Sequence, residues 1–191
     1  MLPSHSIALT AIVPPRRRAD ILSRSRLLDQ LYDLLEYRLI ILSAPAGYGK
    51  TSLLIDFVRT QDVLACWYTI DRSDDNLIGF LMHLLAALQQ QFPEVGKTTT
   101  AILSEADRAD FNLDLLVTPL VNDLQQTAQD HFVIVLDDYH LVNHNQRVSA
   151  FISRFVQRAG DYCHVIIASR KQPALPEMEL LIARSLLRTV D

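Results

Sequence analysis

A short stretch near residue 50 combines small residues with one cation and one hydroxyl: residues 44–51 read Ala-Pro-Ala-Gly-Tyr-Gly-Lys-Thr. An apolar run, 39–43, precedes this stretch, and a helical pattern, 50–60, follows it. Strand, tight loop and helix form the context in which a phosphate-binding loop works. Because the N–H groups of such a loop and of the helix N-terminus attract phosphate oxygens, the stretch predicts a nucleoside-triphosphate site.

Residue types within this loop suit distinct tasks. Gly47 and Gly49 permit the positive φ angles and the close backbone approach that a phosphate cradle needs. Lys50 is expected to reach the β- and γ-phosphates, and Thr51 offers its hydroxyl to Mg²⁺. The standard pattern G-x-x-x-x-G-K-[ST] begins with glycine where this chain has Ala44, which can enter the turn with ordinary dihedral angles. The predicted nucleotide-binding residues of the loop are Ala46, Gly47, Tyr48, Gly49, Lys50, Thr51 and Ser52.

Two acids follow a later apolar strand pattern, 131–136. Asp137, at the end of a central strand beside the loop, is expected to hold Mg²⁺ together with Thr51. Asp138 is expected to orient the attacking water. Arg170 follows a fourth strand pattern, 164–168, and is expected to sense the γ-phosphate. His140 has two open interpretations: contact with the phosphate region or Arg170, or a structural role.

A dinucleotide fold is the competing interpretation of the glycines. Gly47 and Gly49 supply G-x-G, and Asp71 lies about 20 residues on, where a ribose-binding acid belongs. The third glycine is missing, and a dinucleotide site has no use for Lys50 followed by Thr51, so this interpretation is disfavoured. The basic run 16–18 is either a solvated face or a source of one arginine near the nucleotide.

Strand and helix patterns alternate along the chain. Apolar strands are predicted at 39–43, 63–70, 131–136 and 164–168, with the start of a last strand at 187–191. Because each is apolar almost without alternation, a parallel sheet covered on both faces is expected. The fold class is therefore α/β, a three-layer α/β/α sandwich. Ser23 or Ser25 is expected to cap the helix near residue 27, and Pro119 is expected to kink or divide the helix at 113–126.

Composition excludes several classes of protein. The chain has 191 residues and a net charge of −4, so no overall basic field favours nucleic-acid binding by this segment. Two cysteines, Cys66 and Cys163, lie in apolar runs and are interpreted as reduced core residues. No apolar run approaches the roughly 20 residues of a membrane span, and a signal peptide is not expected. These features indicate a cytoplasmic protein.

These motifs together resemble the nucleotide-binding domain of STAND-class signal-transduction ATPases, in particular that of large LuxR-type bacterial transcriptional activators of the maltose-regulon type. The resemblance rests on the loop at 44–51, on strand 133–136 with the Asp-Asp-Tyr-His sequence at 137–140, and on Ala-Ser-Arg at 168–170. The segments 21–27 and 67–71 are also similar to the family, in which alanine is usual at position 44.

The resemblance implies a P-loop NTPase switch that binds ATP or ADP with Mg²⁺. ADP would hold a resting monomer, ATP would allow self-association, and slow hydrolysis would reset the switch. Leu22 and Arg24 would line the adenine and ribose. The domain is expected to span 16–191 and to be STAND/AAA-like, with residues 1–15 as an N-terminal arm; by their terminal position alone, residues 1–13 are expected to be frayed or extended. The family's lid, its sensor repeats that bind inducer, and its DNA-binding domain are absent from the chain, which is therefore expected to be part of a longer regulator.

Two other functions remain open at this stage. A protein whose main task is ATP turnover, such as an AAA-type motor or a small kinase, would share the loop. A motor would present an arginine to a neighbouring subunit, for which Arg154 and Arg158 are candidates by position, although a solvated face is the simpler explanation. The other function is an interaction module that binds nucleotide without hydrolysing it.

Overall fold

The central element is a five-stranded sheet in which every pairing is parallel. A computed structural model describes residues 7–17, 23–105 and 112–190, and the sheet order is β2-β3-β4-β1-β5. The strands are β1 (Leu39–Ser43), β2 (Leu64–Thr69), β3 (Phe132–Asp137), β4 (Cys163–Ser169) and β5 (Leu187–Val190). The predicted parallel α/β sandwich is confirmed, because helices cover both faces of this sheet.

The two sheet faces bury separate sets of side chains. Successive residues of a strand point to opposite faces, so an apolar strand supplies both cores. In β1, Leu39 and Ile41 belong to the larger core, whereas Ile40 and Leu42 belong to the smaller one. Leu39, Ile40 and Ile41 are fully buried, which explains why the strand pattern shows no alternation.

Seven α-helices among the described residues form the two outer layers. They are α1 (Ser25–Asp33), α2 (Lys50–Thr60), α3 (Leu77–Gln89), α4 (Lys97–Glu105), α5 (Asp114–Thr127), α6 (Gln146–Arg158) and α7 (Met178–Ala183). Helices α1 and α2 contribute to the smaller core, whereas α3 to α7 contribute to the larger one. The loop at 44–51 therefore leads from a central strand into a helix that packs on the less crowded face.

Local signals at the helix ends were only partly predictive. The expected serine cap of α1 is wrong: Arg24 is the N-cap residue, no side chain caps it, and Ser25 is already helical. By contrast, Asn76 caps α3, because its Oδ1 accepts from the Gly79 N–H at 2.7 Å. Helix α5 runs through Pro119 as one element rather than as two pieces.

The N-terminal segment packs against the domain. Leu9–Ala11 form a 3₁₀ turn, and Ile12, with 4% of its surface exposed, joins the larger core. The expectation of a wholly frayed or extended arm is therefore wrong for residues 7–13. The division at residue 15 remains a prediction. In the described part of the chain, no helix is both long and apolar enough to cross a membrane.

Candidate nucleotide-binding site

The loop at 44–51 adopts an open cradle at the carboxyl end of β1. Gly47 and Gly49 have φ angles of 84° and 81°, in the left-handed region that glycine adopts without a side-chain penalty. A Cβ added to Gly47 would meet no described atom within 4 Å, so the loop faces open space. Gly49 is the N-cap residue of α2, which directs the free N–H groups of that helix toward the cradle.

Lys50 folds back over the loop that precedes it. Its Nζ donates to the carbonyl oxygen of Ala44 at 2.5 Å and to that of Pro45 at 3.2 Å. The ammonium group therefore lies against the cradle, and its four-carbon stem allows it to turn from these carbonyls toward a phosphate.

The first helical turn of α2 contacts the end of β3. Thr51 Oγ1 donates to Asp137 Oδ2 at 2.8 Å, and the other oxygen, Oδ1, accepts from the Asp138 N–H at 3.0 Å. Asp137 is only 2% exposed. Burial raises the pKa of Asp137, and the nearby charge of Asp138 adds to that rise, while the bond from Thr51 opposes it. A buried anion at this position is therefore costly until a cation joins it.

The donor set at Thr51 and Asp137 fits Mg²⁺. This ion prefers oxygen ligands and is usually held in proteins by one or two carboxylates, phosphate oxygens and water. A hydroxyl and a buried carboxylate 2.8 Å apart beside a phosphate cradle match that preference. Mg²⁺ held by these two side chains would take its remaining ligands from phosphate oxygens and water, as is usual for this ion.

Asp138 has an unusual backbone conformation for a residue other than glycine. Its φ of 57° lies in the left-handed region, which aspartate tolerates better than most residues. His140 Nδ1 lies 3.6 Å from Asp138 Oδ1 and is buried without a hydrogen-bond partner among the described residues. Burial lowers the pKa of His140, and the charges of Arg170 and Lys50 lower it further, whereas Asp138 raises it. Both interpretations of His140 stay open.

Arg170 follows β4, the strand that lies between β1 and β3. The Ala44 N–H donates to the Ser169 carbonyl at 3.2 Å, so the start of the loop is hydrogen-bonded to the residue before Arg170. Arg170 itself is exposed at this edge. The charge of Arg170 lowers the pKa of His140, as the charge of Lys50 does, whereas Asp138 raises it.

Arg24 contacts the loop from the N-terminal side. Its guanidinium donates to the Tyr48 carbonyl at 3.3 Å and lies 3.6 Å from the position of a Cβ on Gly49. Arg24 is thus beside the cradle, and its role in lining the adenine and ribose remains a prediction. Leu22 lies outside the described residues. Ala46 and Tyr48 are exposed at the tip of the loop, and Ser52 is half-buried in the first turn of α2.

One contact near the loop was not assigned from the sequence. Arg17, inside the basic run, forms an ion pair with Asp56 of α2, whose carboxylate is 4% exposed. Arg17 is therefore paired with a buried acid of α2, rather than belonging to a solvated face. The only sequence signal was an acid at a buried position of an otherwise apolar helix face.

Three other candidate residues make contacts that differ from the roles considered for them. Arg154 and Arg158 both lie within 3.2 Å of Asp114 Oδ1, so these helix arginines are engaged within the domain. Asp71 accepts hydrogen bonds from Ser73 and caps a 3₁₀ turn. This capping role replaces the ribose-binding role that a dinucleotide fold would require.

Fold and loop geometry together define a P-loop nucleotide-binding domain of the ATPase type. The chain belongs to the family described as "Nephrocystin 3, N-terminal", whose profile matches residues 18–170. The predicted resemblance to the STAND-class ATPase domain of LuxR-type activators is confirmed by this match and by the relatives that follow.

The chain is similar to known proteins in sequence and in fold. It is 31% identical over 173 residues to the HTH-type transcriptional regulator MalT of Yersinia pestis, covering 91% of this chain but only 19% of that protein. In structure it resembles a chain of Drosophila ORC bound to AT-rich DNA and Cdc6, with a TM-score of 0.56 and 12% identity over 87% of this chain and 53% of the other. It also resembles a Walker-type ATPase of Pyrococcus abyssi, with a TM-score of 0.51 and 18% sequence identity. This match covers 85% of this chain and 49% of the other.

Proposed function

We propose that this chain is the ATP-binding and slowly hydrolysing switch domain of a signal-responsive bacterial transcriptional regulator. The observation that carries the proposal is the contact between Thr51 Oγ1 and Asp137 Oδ2, at 2.8 Å, beside the Lys50 loop. In the proposed Mg²⁺–triphosphate site, this contact joins two halves that are 86 residues apart in sequence.

Each residue has a defined task in the proposed site. Lys50 exchanges its bonds to the loop carbonyls for bonds to the β- and γ-phosphates, while the N–H groups of the loop hold phosphate oxygens. Thr51 and Asp137 hold Mg²⁺, which neutralises charge on the phosphates when bound. Asp138, exposed enough to meet solvent, orients the attacking water, and Arg170 senses the γ-phosphate.

The wider regulatory cycle is part of the proposal. The relative MalT is named as a transcriptional regulator, and the matched region is 19% of its length. We infer that ADP holds the resting form, that ATP permits self-association, and that inducer and DNA bind through other domains of a longer protein. The cytoplasm is the proposed location, since these nucleotides and DNA are found there.

Calorimetry with Lys50→Ala tests the nucleotide site. We expect the variant to lose measurable binding of ATP with Mg²⁺, because the remaining loop cannot balance the charge of the β- and γ-phosphates. Lys97→Ala is the matched control, since Lys97 is exposed and pairs only locally with Glu94. Unchanged ATP affinity in Lys50→Ala would overturn the assignment of the loop.

Turnover separates the switch from an enzyme devoted to phosphoryl transfer. Kinases run at roughly 1–100 per second, whereas the switch should release phosphate far more slowly. We expect light scattering to give a larger mass with ATP than with ADP in a protein that includes the downstream domains. Fast turnover together with an unchanged mass would favour a motor or kinase, and phosphate release at background would favour a binding module.

A further inference from the structure

A cavity separate from the loop at 44–51 opens at the carboxyl end of the edge strand β2. It encloses about 680 Å³, within the size range of small-molecule sites. Its lining includes Thr10 of the N-terminal turn, and Thr69 and Ile70 at the end of β2. The strands β3 and β4 separate β2 from β1, so the cavity lies roughly 14 Å from the loop strand across the sheet.

An aspartate–histidine pair lines this cavity. His83 Nδ1 lies 3.0 Å from Asp74 Oδ1 and 3.0 Å from the Gly79 carbonyl oxygen. Both of these partners only accept, so Nδ1 carries a proton, and in the neutral ring Nε2 is a hydrogen-bond acceptor. Asp74 is 2% exposed and also accepts from the Asp71 N–H at 2.8 Å, which fixes the pair in place.

A buried hydroxyl lies beside this pair without a partner. Tyr68 stacks on the His83 ring, with centroids 5.7 Å apart and planes 15° apart. The Tyr68 hydroxyl is buried and has no hydrogen-bond partner among the described residues. Burial raises the pKa of Tyr68, and the charge of Asp74 raises it further. Tyr68 therefore packs against the aspartate–histidine pair, although it is not one of the residues that line the cavity.

Asp71 adds a second carboxylate at the mouth of the cavity. Hydrogen bonds from Ser73 lower the pKa of Asp71, so the group is ionised at neutral pH. Both bonds from Ser73 reach Oδ1, and no donor among the described residues reaches Oδ2. Two carboxylates line the cavity, whereas no lysine or arginine does within the described part of the chain.

We propose that this cavity binds a small ligand that carries a primary ammonium group. The ammonium would donate to the Asp71 carboxylate and to His83 Nε2, which is the acceptor-rich environment that three N–H donors require. A bound ligand would lie near Asp137, the residue proposed to hold Mg²⁺, because Ile70 lines the cavity and its N–H donates to the Asp137 carbonyl at 3.0 Å. The inference does not depend on the nucleotide site being functional.

Backbone amide NMR with 1,4-diaminobutane tests this assignment. We expect the dication to shift the amide signals of Asp71, Ser73 and Gly79 in a saturable way, and 1,4-butanediol, its neutral analogue of equal length, to leave them unchanged. Asp71→Asn keeps an oxygen that can cap the 3₁₀ turn but removes the charge. We expect it to weaken diamine binding about tenfold or more, the cost of one bond to a charged group.

Asp130→Asn is the matched control, since Asp130 is an exposed acid that follows α5 at the opposite edge of the sheet. It should leave diamine affinity unchanged. The proposal is overturned if the diamine causes no saturable shift, if the diol binds as well as the diamine, or if Asp130→Asn weakens binding as much as Asp71→Asn does. Repeating the titration with Lys50→Ala separates this result from the nucleotide proposal, because diamine binding should survive in that variant.

Discussion

Two buried ionisable residues lie at opposite ends of neighbouring strands of the sheet. We call the side of the sheet where the strands begin the amino edge, and the side where they end the carboxyl edge. His164 is near the amino end of β4, and Asp137 is at the carboxyl end of β3; each is 2% exposed. At the amino edge, His164 Nδ1 lies 2.9 Å from the Tyr37 carbonyl oxygen, and Nε2 lies 2.8 Å from His131 Nδ1. Because a carbonyl only accepts, His164 donates from Nδ1 and accepts at Nε2, so both nitrogens of the neutral ring are satisfied.

At the carboxyl edge, not every buried polar group has a hydrogen-bond partner among the described residues. Asp137 has two donors, but burial raises its pKa, and the neighbouring Asp138 adds like charge. His140 Nδ1 has no partner among the described residues. Polar groups at the amino edge therefore have hydrogen-bond partners within the fold, whereas His140 at the carboxyl edge has none among the described residues and the Asp137 carboxylate is a buried charge. This difference is the one expected between a structural network and a binding site that trades stability for function.

The largest expected effect is on turnover. Asp138→Asn should lower the rate of ATP hydrolysis by about 10²–10⁴-fold, the usual contribution of a group that manages proton transfer, while ATP affinity stays the same. Asparagine suits the left-handed backbone at this position, so the fold should be kept. Phosphate release and calorimetry measure the two quantities.

The amino edge supplies the control for this prediction. Asp161→Asn removes the exposed carboxylate that pairs with Arg38 at 2.8 Å, and it should leave turnover unchanged. Hydrolysis at the wild-type rate in Asp138→Asn would show that another residue orients the water. Equal losses of ATP turnover in the two variants would show that the two edges do not differ in function.

The next effect is on stability at the amino edge. His164→Leu should lower the free energy of unfolding by about 1–3 kcal/mol, because the Tyr37 carbonyl and His131 lose their hydrogen-bond partner. Urea denaturation measures it. His144→Gln is the control: His144 is mostly exposed and pairs with Asp75, so a change within about 0.5 kcal/mol is expected. A neutral result for His164→Leu would mean that the network contributes no stability.

Much of the site was predictable because parallel strands end at one edge. The sequence placed Thr51, Asp137 and Arg170 each directly after an apolar strand or loop, and strand ends of a parallel sheet converge wherever they lie in sequence. Strand patterns were equally clear, since complete burial on both faces leaves no alternation to misinterpret. The fold class and the loop therefore followed from local patterns alone.

Contacts between distant side chains were not predictable in the same way. Nothing local pairs Arg17 with Asp56 or His131 with His164, because each pairing depends on how the elements pack. The serine cap of α1 failed for a related reason: capping depends on the backbone geometry at Arg24 rather than on the presence of a hydroxyl. Asp71 suggested ribose binding from spacing alone, and its hydrogen bonds with Ser73 gave it a different role.

A smaller effect of opposite sign is expected at the carboxyl edge. Asp137→Asn should raise the free energy of unfolding of the nucleotide-free protein by about 0.5–2 kcal/mol, in the range of typical stabilising substitutions. The amide can accept from the Asp138 N–H and donate to Thr51 Oγ1, while the buried charge is removed. Denaturation with and without ATP and Mg²⁺ measures this gain and the accompanying loss of ligand-induced stabilisation. A destabilised Asp137→Asn would contradict the idea that this charge is costly.

The smallest expected effect is the pH dependence of stability between about pH 8 and pH 5. Burial lowers the pKa values of His164 and His140 below the ordinary 6.5. The unfolded chain then binds more protons than the native protein in that window, so stability should fall as the pH falls below about 6.5. Asp137 acts in the opposite direction, because its raised pKa lets the native protein take up a proton first as the solution becomes acidic.

The variants separate these opposing contributions. His164→Leu should flatten the loss of stability below about pH 6.5, because one of the two histidines that take up a proton on unfolding is removed. Asp137→Asn should make the loss steeper at the acidic end, because the compensating carboxyl is gone. Asp71 and Asp161 do not interfere above about pH 5, since their pKa values are lowered and the unfolded chain begins to protonate such groups only near that pH. If both variants kept the wild-type pH profile, the two edges would not differ in how their buried groups are coupled to folding.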